Sequence, residues 1–167
     1  MVEFMNIHEA IELLNKQILN PSMGLPEEVF LFISRITPMV NVDLLIKDEN
    51  RRTLLSWRDD QFAGTGWHLP GGIVRFKEKL EKRVLKVAET EIGATVEYDP
   101  VPLAFNQVIC DYDMRGHFIS ILYKCFLSGK YVPKNRGLTE KDKGYLKWHD
   151  SCPANLIKVH KIYRNYI

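Results

Sequence analysis

The apolar positions near the N-terminus follow a helical spacing, and a proline interrupts it. The first apolar row recurs every three or four residues: Ile7, Ile11, Leu14 and Ile18. Such spacing predicts a helix, which should end at Asn20 because Pro21 disfavours helical backbone before it. A second helix is predicted to begin at Pro26, where two acids occupy the first turn. We therefore predict a helical extension over residues 1–25 and one domain over residues 26–167.

Beyond the second helix the apolar runs become short, with turn-forming residues between them, as is typical of strands. The predicted strands lie in MVNVDLLI, RTLLSW, WHLPGG, VEYDPVPLAFNQVIC, HFISILYKCFL and GYLKWH. A helix is predicted from about Lys77 to Ile92, a polar loop over residues 128–143, and a terminal helix that starts at Pro153. Strands mixed with helices predict an α/β or α+β sandwich around a mixed sheet.

Composition and charge exclude several classes of protein. The chain has 167 residues, of which 46% are hydrophobic, enough for one compact domain. A formal charge of +2 gives no reason to expect nucleic acid as a partner. No apolar run approaches the roughly 20 residues of a membrane span. The three cysteines, Cys110, Cys125 and Cys152, are far apart, which favours a reducing compartment, the cytoplasm.

One acid stands beside an apolar row of the predicted helix. The row consists of Leu80, Val84, Val87 and Ala88. Glu91 follows Val87 by four residues and so lies at the edge of the same helix face. A carboxylate there costs free energy unless a partner or a metal ion compensates its charge. Glu91 is therefore a candidate functional residue.

The segment at residues 72–94 resembles the Nudix hydrolase box, G-x5-E-x7-R-E-U-x-E-E-x-G-U, where U is a bulky apolar residue. Four positions match the conserved letters of the box: Gly72, Glu78, Glu91 and Gly93. Three positions depart from it: Lys86 at the arginine, and Val87 and Thr90 at two of the acids. The resemblance implies the Nudix α/β/α sandwich around a mixed β-sheet, here with an extra N-terminal helix. It also implies hydrolysis of a nucleoside diphosphate linked to another group.

The lost acids bear on the metal that the resemblance implies. Most Nudix enzymes bind several ions through carboxylates one helical turn apart. Here Glu91, with a backbone carbonyl of Gly71 or Gly72, would bind one Mg²⁺, or Mn²⁺ as the alternative, because Mg²⁺ takes oxygen ligands and keeps several waters. The same reduced box occurs in GDP-mannose mannosyl hydrolases, which attack the sugar carbon with a single Mg²⁺.

The resemblance to that subfamily extends over about residues 30–150. Asp43 and Arg58 match residues that hold the departing diphosphate. Phe30 falls near the aromatic residue that stacks on the base. His117 and Phe118 begin a strand near the substrate.

Two charged residues of the box have alternative roles. Lys86 either orients Glu78, contacts phosphate or is a solvated surface charge. Glu78 has a structural alternative, an ion pair with Lys82 one turn away.

The loop before the last predicted strand departs from the subfamily. The subfamily has a metal-binding glutamine and a histidine base before a tryptophan. Alignment on Trp148 places Asp142 and Lys143 there. Asp142 is a suitable oxygen ligand, whereas a lysine, with a pKa of about 10.4, is a poor base at neutral pH. Glu140 and Asp142 are the alternative bases, and Lys143 is expected to act as a cation against phosphate.

Three functions follow from these residues. The first is a Mg²⁺-dependent hydrolase that releases GDP and a sugar from a nucleotide sugar. The second is a Nudix pyrophosphatase that cleaves between the phosphorus atoms. The third is a catalytically inactive module that binds nucleotide sugars. In each case the expected ligand is a nucleotide sugar, and we expect neither nucleic acid nor a membrane as a partner. We also expect a homodimer.

Overall fold

In the computed structural model, which describes residues 6–111 and 113–167, eight strands form one mixed sheet. The strands are β1 (Met39–Lys47), β2 (Thr53–Asp60), β3 (Gly64–His68), β4 (Gly71–Ile73), β5 (Glu97–Tyr98), β6 (Ala104–Ile109), β7 (His117–Phe126) and β8 (Leu146–His149). Their order is β3-β2-β1-β7-β5, with β4 beside β1, β6 beside β7 and β8 beside β2. Strands β1 and β7 are parallel, and the other pairs are antiparallel.

The predicted long strand after residue 95 is two strands in the structure, β5 and β6. Pro100 and Pro102 lie between them. Proline has no N–H to donate to a neighbouring strand, so the ladder along β7 is interrupted at this point.

The helices are α1 (Ile7–Gln17), α2 (Glu27–Ile36) and α3 (Leu80–Val87), and a π-helical turn, Ala88–Ile92, continues α3. The predicted start of α3 at Lys77 was wrong, because Lys77 has a φ of 56° and that left-handed backbone does not belong to a right-handed helix. Helix α1 begins with a capping box between Asn6 and Glu9. It contributes no buried residue, and the domain boundary after residue 25 stays a prediction.

The predicted terminal helix is much shorter than expected. It is a 3-10 helix, Lys158–Tyr163. Its beginning is displaced because the preceding segment pairs with β3: Trp67 N–H donates to the Asn155 carbonyl, and Ile157 N–H donates to the Trp67 carbonyl. Backbone groups that bond to a strand are not available to a helix.

Alternation along the strands produces two cores, one on each face of the sheet. On one face, α3 and the π-helical turn cover β1 through Val84, Val87, Ala88 and Ile92. On the other face, the C-terminal segment covers Leu45, Leu55, Leu69 and Leu122 through Leu156 and Tyr163. This arrangement confirms the predicted α/β class and places the C-terminal segment on the face that carries Asp43. In the described ranges, no helix has the length and apolar character of a membrane span.

Candidate active site

The short strand β4 holds Gly71 beside Asp43 of β1. Leu44 N–H donates to the Pro70 carbonyl at 2.8 Å, and Val74 N–H donates to the Val40 carbonyl at 2.9 Å. Antiparallel pairs alternate between bonded and non-bonded positions, so the pair Gly71–Asp43 is non-bonded. The N–H and C=O of Gly71 therefore point away from β1 and are free to contact other groups.

Gly71 is a glycine because the non-bonded pair is close. A Cβ at this position would overlap the Asp43 carboxylate and lie 2.8 Å from the Val42 carbonyl oxygen. The absence of a side chain thus lets the buried carboxylate of Asp43 sit directly against the backbone of β4.

Glu91 has a partner in this same backbone. The π-helical turn ends with Gly93 N–H donating to the Ala88 carbonyl at 3.0 Å, and it carries Glu91 towards β4. The Glu91 carboxylate accepts a hydrogen bond from Gly71 N–H. Burial nevertheless raises the pKa of Glu91 to about 7, the Asp43 charge adds to this, and the Gly71 amide and Arg58 oppose it. An acid with such a pKa is typical of functional sites.

Asp43 is buried, and three side chains donate to its carboxylate. The donors are the hydroxyl of Ser120, the hydroxyl of Tyr163 at 2.7 Å and the amide of Asn41 at 3.1 Å. Burial raises the pKa of Asp43, and the bonds from Ser120 and Tyr163 oppose that rise. Asp43 therefore accepts from three protein donors and lies at the cleft floor, at 3% exposure.

Two histidines meet at the peptide of Leu69. The ring Nδ1 of His68 lies 2.7 Å from the Leu69 carbonyl oxygen, and Leu69 N–H donates to Nδ1 of His160 at 3.0 Å. Nε2 of His160 lies 3.9 Å from Oδ1 of Asp43. Burial, with the nearby cation Arg58, lowers the pKa of each histidine to about 3. Both rings are therefore neutral at physiological pH.

Two arginines supply positive charge to the cleft. Arg58 forms an ion pair with Asp60. Asp60 also accepts from the amides of Phe62 and Ala63. Its own burial would raise its pKa, but these bonds and Arg58 lower it to about 2. Asp60 thus fixes both Arg58 and the turn that carries Phe62.

The second arginine, Arg115, comes from the loop before β7. Its guanidinium carbon lies 4.8 Å from the centre of the Phe62 ring and 5.7 Å from that of Phe30. Its backbone N–H donates to the Ser34 hydroxyl at 3.0 Å, which ties the loop to α2. Cations over aromatic faces are attracted to the ring, so Arg115 is held at the rim of the cleft.

These groups enclose a cleft of about 820 Å³. The predicted site residues that line it are Asp43, Arg58, Gly71, Gly72, Glu91, Phe118 and Lys143. The other predicted site residues do not line it: Phe30, Glu78, Lys86, Gly93, His117, Glu140 and Asp142. Phe30 touches the site only through Arg115, and Nε2 of His117 lies 3.0 Å from the Gln107 amide nitrogen instead.

The structure separates Lys86 from Glu78. Glu78 forms an ion pair with Arg83 at 2.7 Å and accepts from the amide of Arg75 at 2.9 Å. Lys86 pairs on the surface with Glu89 at 2.9 Å. Arg83 therefore orients Glu78. The sequence suggested Lys82 or Lys86 for this role, and neither residue has it in the structure.

The loop acids also have partners outside the cleft. Glu140 forms an ion pair with Lys147, and Asp142 accepts from the amide and the hydroxyl of Thr139 at 2.6 and 2.7 Å. Lys143 reaches the cleft. The structure thus brings one of the three loop residues to the site.

The sequence analysis missed most of the other cleft residues, among them Trp57, His68, Arg115, Ser120, His160 and Tyr163. Two of them lie in segments that the sequence analysis predicted as strands: His68 in WHLPGG and Trp57 in RTLLSW. The others come from distant parts of the chain, and tertiary packing alone brings them together.

The metal that the family resemblance implies fits this site with few protein ligands. Within residues 6–111 and 113–167, no group of three or more His, Cys, Asp or Glu side chains has a metal-binding arrangement. Glu91 is one carboxylate beside the free backbone of Gly71, whereas Gly72 bonds to Val42 by strand alternation. Such a site suits Mg²⁺, which keeps waters and binds substrate phosphates alongside one or two carboxylates.

A comparison with family models gives no match. The chain is similar to the low-salt glycan biosynthesis protein Agl8 of Haloferax volcanii, with 28% identity over 111 residues that cover 64% of this chain and 70% of that protein. It is also similar to the ADP-ribose pyrophosphatase of Methanocaldococcus jannaschii, with 31% identity over 86 residues. That alignment covers 52% of this chain and 49% of the relative, so it spans about half of each.

A solved structure resembles the fold over most of the chain. The MutT NUDIX hydrolase of Burkholderia pseudomallei superposes with a TM-score of 0.62 and 24% identity, covering 78% of this chain and 98% of that one. The chain therefore has the Nudix fold, and the predicted fold class is confirmed.

Proposed function

We propose that the chain is a Mg²⁺-dependent Nudix hydrolase of nucleoside-diphosphate sugars that attacks the sugar carbon and releases GDP and the sugar. The observation that carries the proposal is the charge arrangement of the cleft. Two carboxylates, Glu91 and the buried Asp43, lie beside Gly71. Three cations line the same cleft, Arg58, Arg115 and Lys143, together with the acids Asp60 and Glu27. A diphosphate is an anion that these cations would neutralise.

The arrangement favours the diphosphate as a leaving group. Mg²⁺, when bound by Glu91 and Gly71, supplies positive charge to the phosphate oxygens. Arg58 is fixed by its pair with Asp60, so it offers its remaining donors without losing orientation. Lys143, in the loop before β8, also lines the cleft and would add positive charge. Asp43 would hold Ser120, Tyr163 and Asn41 at the floor of the cleft rather than bind the diphosphate itself.

The aromatic end of the cleft is suited to a base. Phe62 and Phe118 line it, and Arg115 lies over Phe62. Flat aromatic and guanidinium surfaces stack on nucleobases. Phe30 would contribute through Arg115 rather than by direct stacking, and His117 would act only through its neighbour Phe118.

A second function has its own support. The relative from Methanocaldococcus jannaschii is named an ADP-ribose pyrophosphatase, which favours cleavage between phosphorus atoms. A binding module without turnover is the third possibility, since the helix positions Val87 and Thr90 lack acids. The relative from Haloferax volcanii is named for glycan biosynthesis, which supports a nucleotide sugar in all three cases.

The products distinguish these functions. The protein is incubated with Mg²⁺ and GDP-mannose, GDP-glucose or ADP-ribose in ¹⁸O-water, and the products are separated by anion exchange. Free GDP together with a free sugar that carries ¹⁸O supports the proposal. A nucleoside monophosphate with a sugar phosphate supports the pyrophosphatase. Thermal stabilisation by a nucleotide sugar without any product supports the binding module.

A matched pair of variants tests the metal site. Glu91→Gln should abolish turnover, because the carboxylate ligand is lost. Glu89→Gln should retain it, because Glu89 is exposed and pairs with Lys86. Equal activity of Glu91→Gln and the wild type would contradict the proposed metal site.

We also propose a homodimer in the cytoplasm. Exposed apolar side chains on α1 and α2 support an interface: Ile7, Ile11, Phe32 and Ile36. The three cysteines are free thiols, as expected in a reducing compartment.

A further inference from the structure

The peptide of Leu69 sets opposite proton positions on two histidines. A carbonyl oxygen only accepts, so the 2.7 Å contact with Leu69 places a proton on Nδ1 of His68. An amide N–H only donates, so the 3.0 Å bond from Leu69 leaves Nδ1 of His160 without a proton. In the neutral rings, Nε2 of His68 is therefore a free lone pair, and Nε2 of His160 carries a proton.

From this geometry we propose that His68 is the general base that takes the proton of the attacking water, and that His160 is a positioning residue that acts through Leu69. The inference rests on the proposed hydrolysis at the sugar carbon. His68 lines the cleft, and among the described residues no hydrogen bond engages its Nε2. His160 fixes the peptide that in turn fixes the proton on the far side of the His68 ring.

The other candidate bases are occupied. Glu140 and Asp142 bond to Lys147 and Thr139 away from the cleft. Asp43 accepts from three donors, and Glu91 lies beside Gly71 in the proposed metal site. Lys143 is a cation. Asp60, another acid of the cleft lining, is paired with Arg58. His68 offers a neutral nitrogen lone pair on the cleft wall that no hydrogen bond of the described residues engages.

The step balances without a further reactant. Nε2 of His68 takes one proton from water as the water oxygen bonds to the sugar carbon. The bond between that carbon and the diphosphate oxygen breaks, and its electron pair leaves with the diphosphate. The imidazolium of His68 then returns its proton to solvent.

The charged groups around His68 couple its protonation to the substrate. Burial, His160 and Arg58 lower the pKa of His68, and Asp43 opposes them. A bound diphosphate would compensate the charge of Arg58, so the pKa of His68 should rise towards the range of an effective base when substrate is present.

The test uses two replacements that separate the two ring nitrogens. In His68→Asn the amide NH₂ takes the place of Nδ1 and keeps the bond to the Leu69 carbonyl, but the Nε2 lone pair is lost. We expect kcat to fall by about 10² to 10⁴-fold, with KM and the melting temperature almost unchanged. Turnover by His68→Asn equal to that of the wild type would overturn the inference, while leaving the proposed function intact.

His160 requires a different readout. His160→Ala removes the acceptor for Leu69 N–H and should lower kcat, whereas His160→Asn offers a carbonyl oxygen in its place and should restore it. Failure of His160→Asn to restore kcat above His160→Ala would contradict the positioning role.

A measurement on the wild-type protein does not depend on any variant folding. In ¹⁵N-histidine-labelled protein, two-bond ¹H–¹⁵N correlations should show the Nδ1–H form for His68 and the Nε2–H form for His160. Adding GDP should raise the pH at which His68 protonates. An Nε2–H form of His68 would refute the base assignment. A wild type without any turnover on nucleotide sugars would overturn the proposed function and the base with it.

Discussion

Replacing Glu91 by glutamine should stabilise the protein at high pH while it abolishes turnover. The change removes the charge and keeps the shape of the side chain. In the structure the carboxylate is largely buried near Asp43, and its pKa rises from 4.5 to about 7. The ionised form of Glu91 is therefore disfavoured in the folded state, and an uncharged amide avoids that cost.

The magnitude follows from the pKa shift. Between pH 4.5 and about 7 the folded protein holds a proton that the unfolded chain releases, so stability is highest below pH 4.5 and falls until the pH passes the folded pKa. The shift is about 2.5 units, and each unit corresponds to about 1.4 kcal/mol. The upper limit of the loss is about 3.5 kcal/mol, and residual exposure of the side chain reduces it.

Urea denaturation in the presence of EDTA measures this effect. At about pH 8.5, Glu91→Gln should unfold at higher urea than the wild type, and near pH 4.5 the two should nearly coincide. Glu89→Gln is the control and should follow the wild type at both values. Equal stability of Glu91→Gln and wild type at about pH 8.5 would refute the claim that a costly charge is buried at this position.

Three further predictions follow from contacts elsewhere in the domain. Arg83→Met should lower the free energy of unfolding by about 1 to 3 kcal/mol, because it leaves Glu78 unpaired. Lys86→Met loses only an exposed ion pair and should change that free energy by less than about 0.5 kcal/mol. Equal losses in urea denaturation would contradict the assignment of Arg83. Gly71→Ala should lower the free energy of unfolding by about 1 to 3 kcal/mol and should also lower turnover, because the added methyl overlaps Asp43. An unfolding curve equal to that of the wild type would argue against the close approach of β4 to β1. Deleting α1, which has no buried residue, should leave the melting temperature nearly unchanged and convert the proposed dimer to a monomer in analytical ultracentrifugation; a dimer that persists would place the interface elsewhere.

Most strands of the sheet were predictable from sequence, because strand runs and turn residues are local signals. Two predicted strands, WHLPGG and VEYDPVPLAFNQVIC, each correspond to two strands in the structure. The family resemblance expected Glu91 near the carbonyl of Gly71 or Gly72. The structure places Glu91 beside the Gly71 amide, twenty positions earlier, and the shared metal stays a prediction. A local physical rule also indicated Glu91, because an acid beside an apolar row requires a partner. The partner itself, an amide of β4 made available by strand alternation, was visible only in the structure.

The polar floor was not predictable from any local pattern. His160 and Tyr163 lie in a short C-terminal 3-10 helix, and nothing in that segment's periodicity marks it as part of the cleft. The strand-like pairing of Asn155 and Ile157 with Trp67 places this helix under β1. The role of Arg83 was missed for a related reason: the alignment counted positions in the box, whereas the ion pair depends on which side chain can reach Glu78.

The two helix positions that lack the acids of the family, Val87 and Thr90, have different surroundings in this structure. The difference bears on how a single carboxylate, Glu91, would suffice in the proposed metal site. Val87 is buried at 2% exposure, and a Cβ on Gly72 would meet its methyl at 2.9 Å. A carboxylate at position 87 would displace core packing as well as add charge. Thr90 lines the cleft, and its hydroxyl donates to the Lys86 carbonyl at 2.8 Å. The helix face that bears several acids in the family therefore belongs here partly to the core, at Val87, and partly to an uncharged side of the cleft, at Thr90. Fewer fixed negative charges would then oppose the diphosphate of the proposed substrate, while Arg58 keeps its ion pair with Asp60.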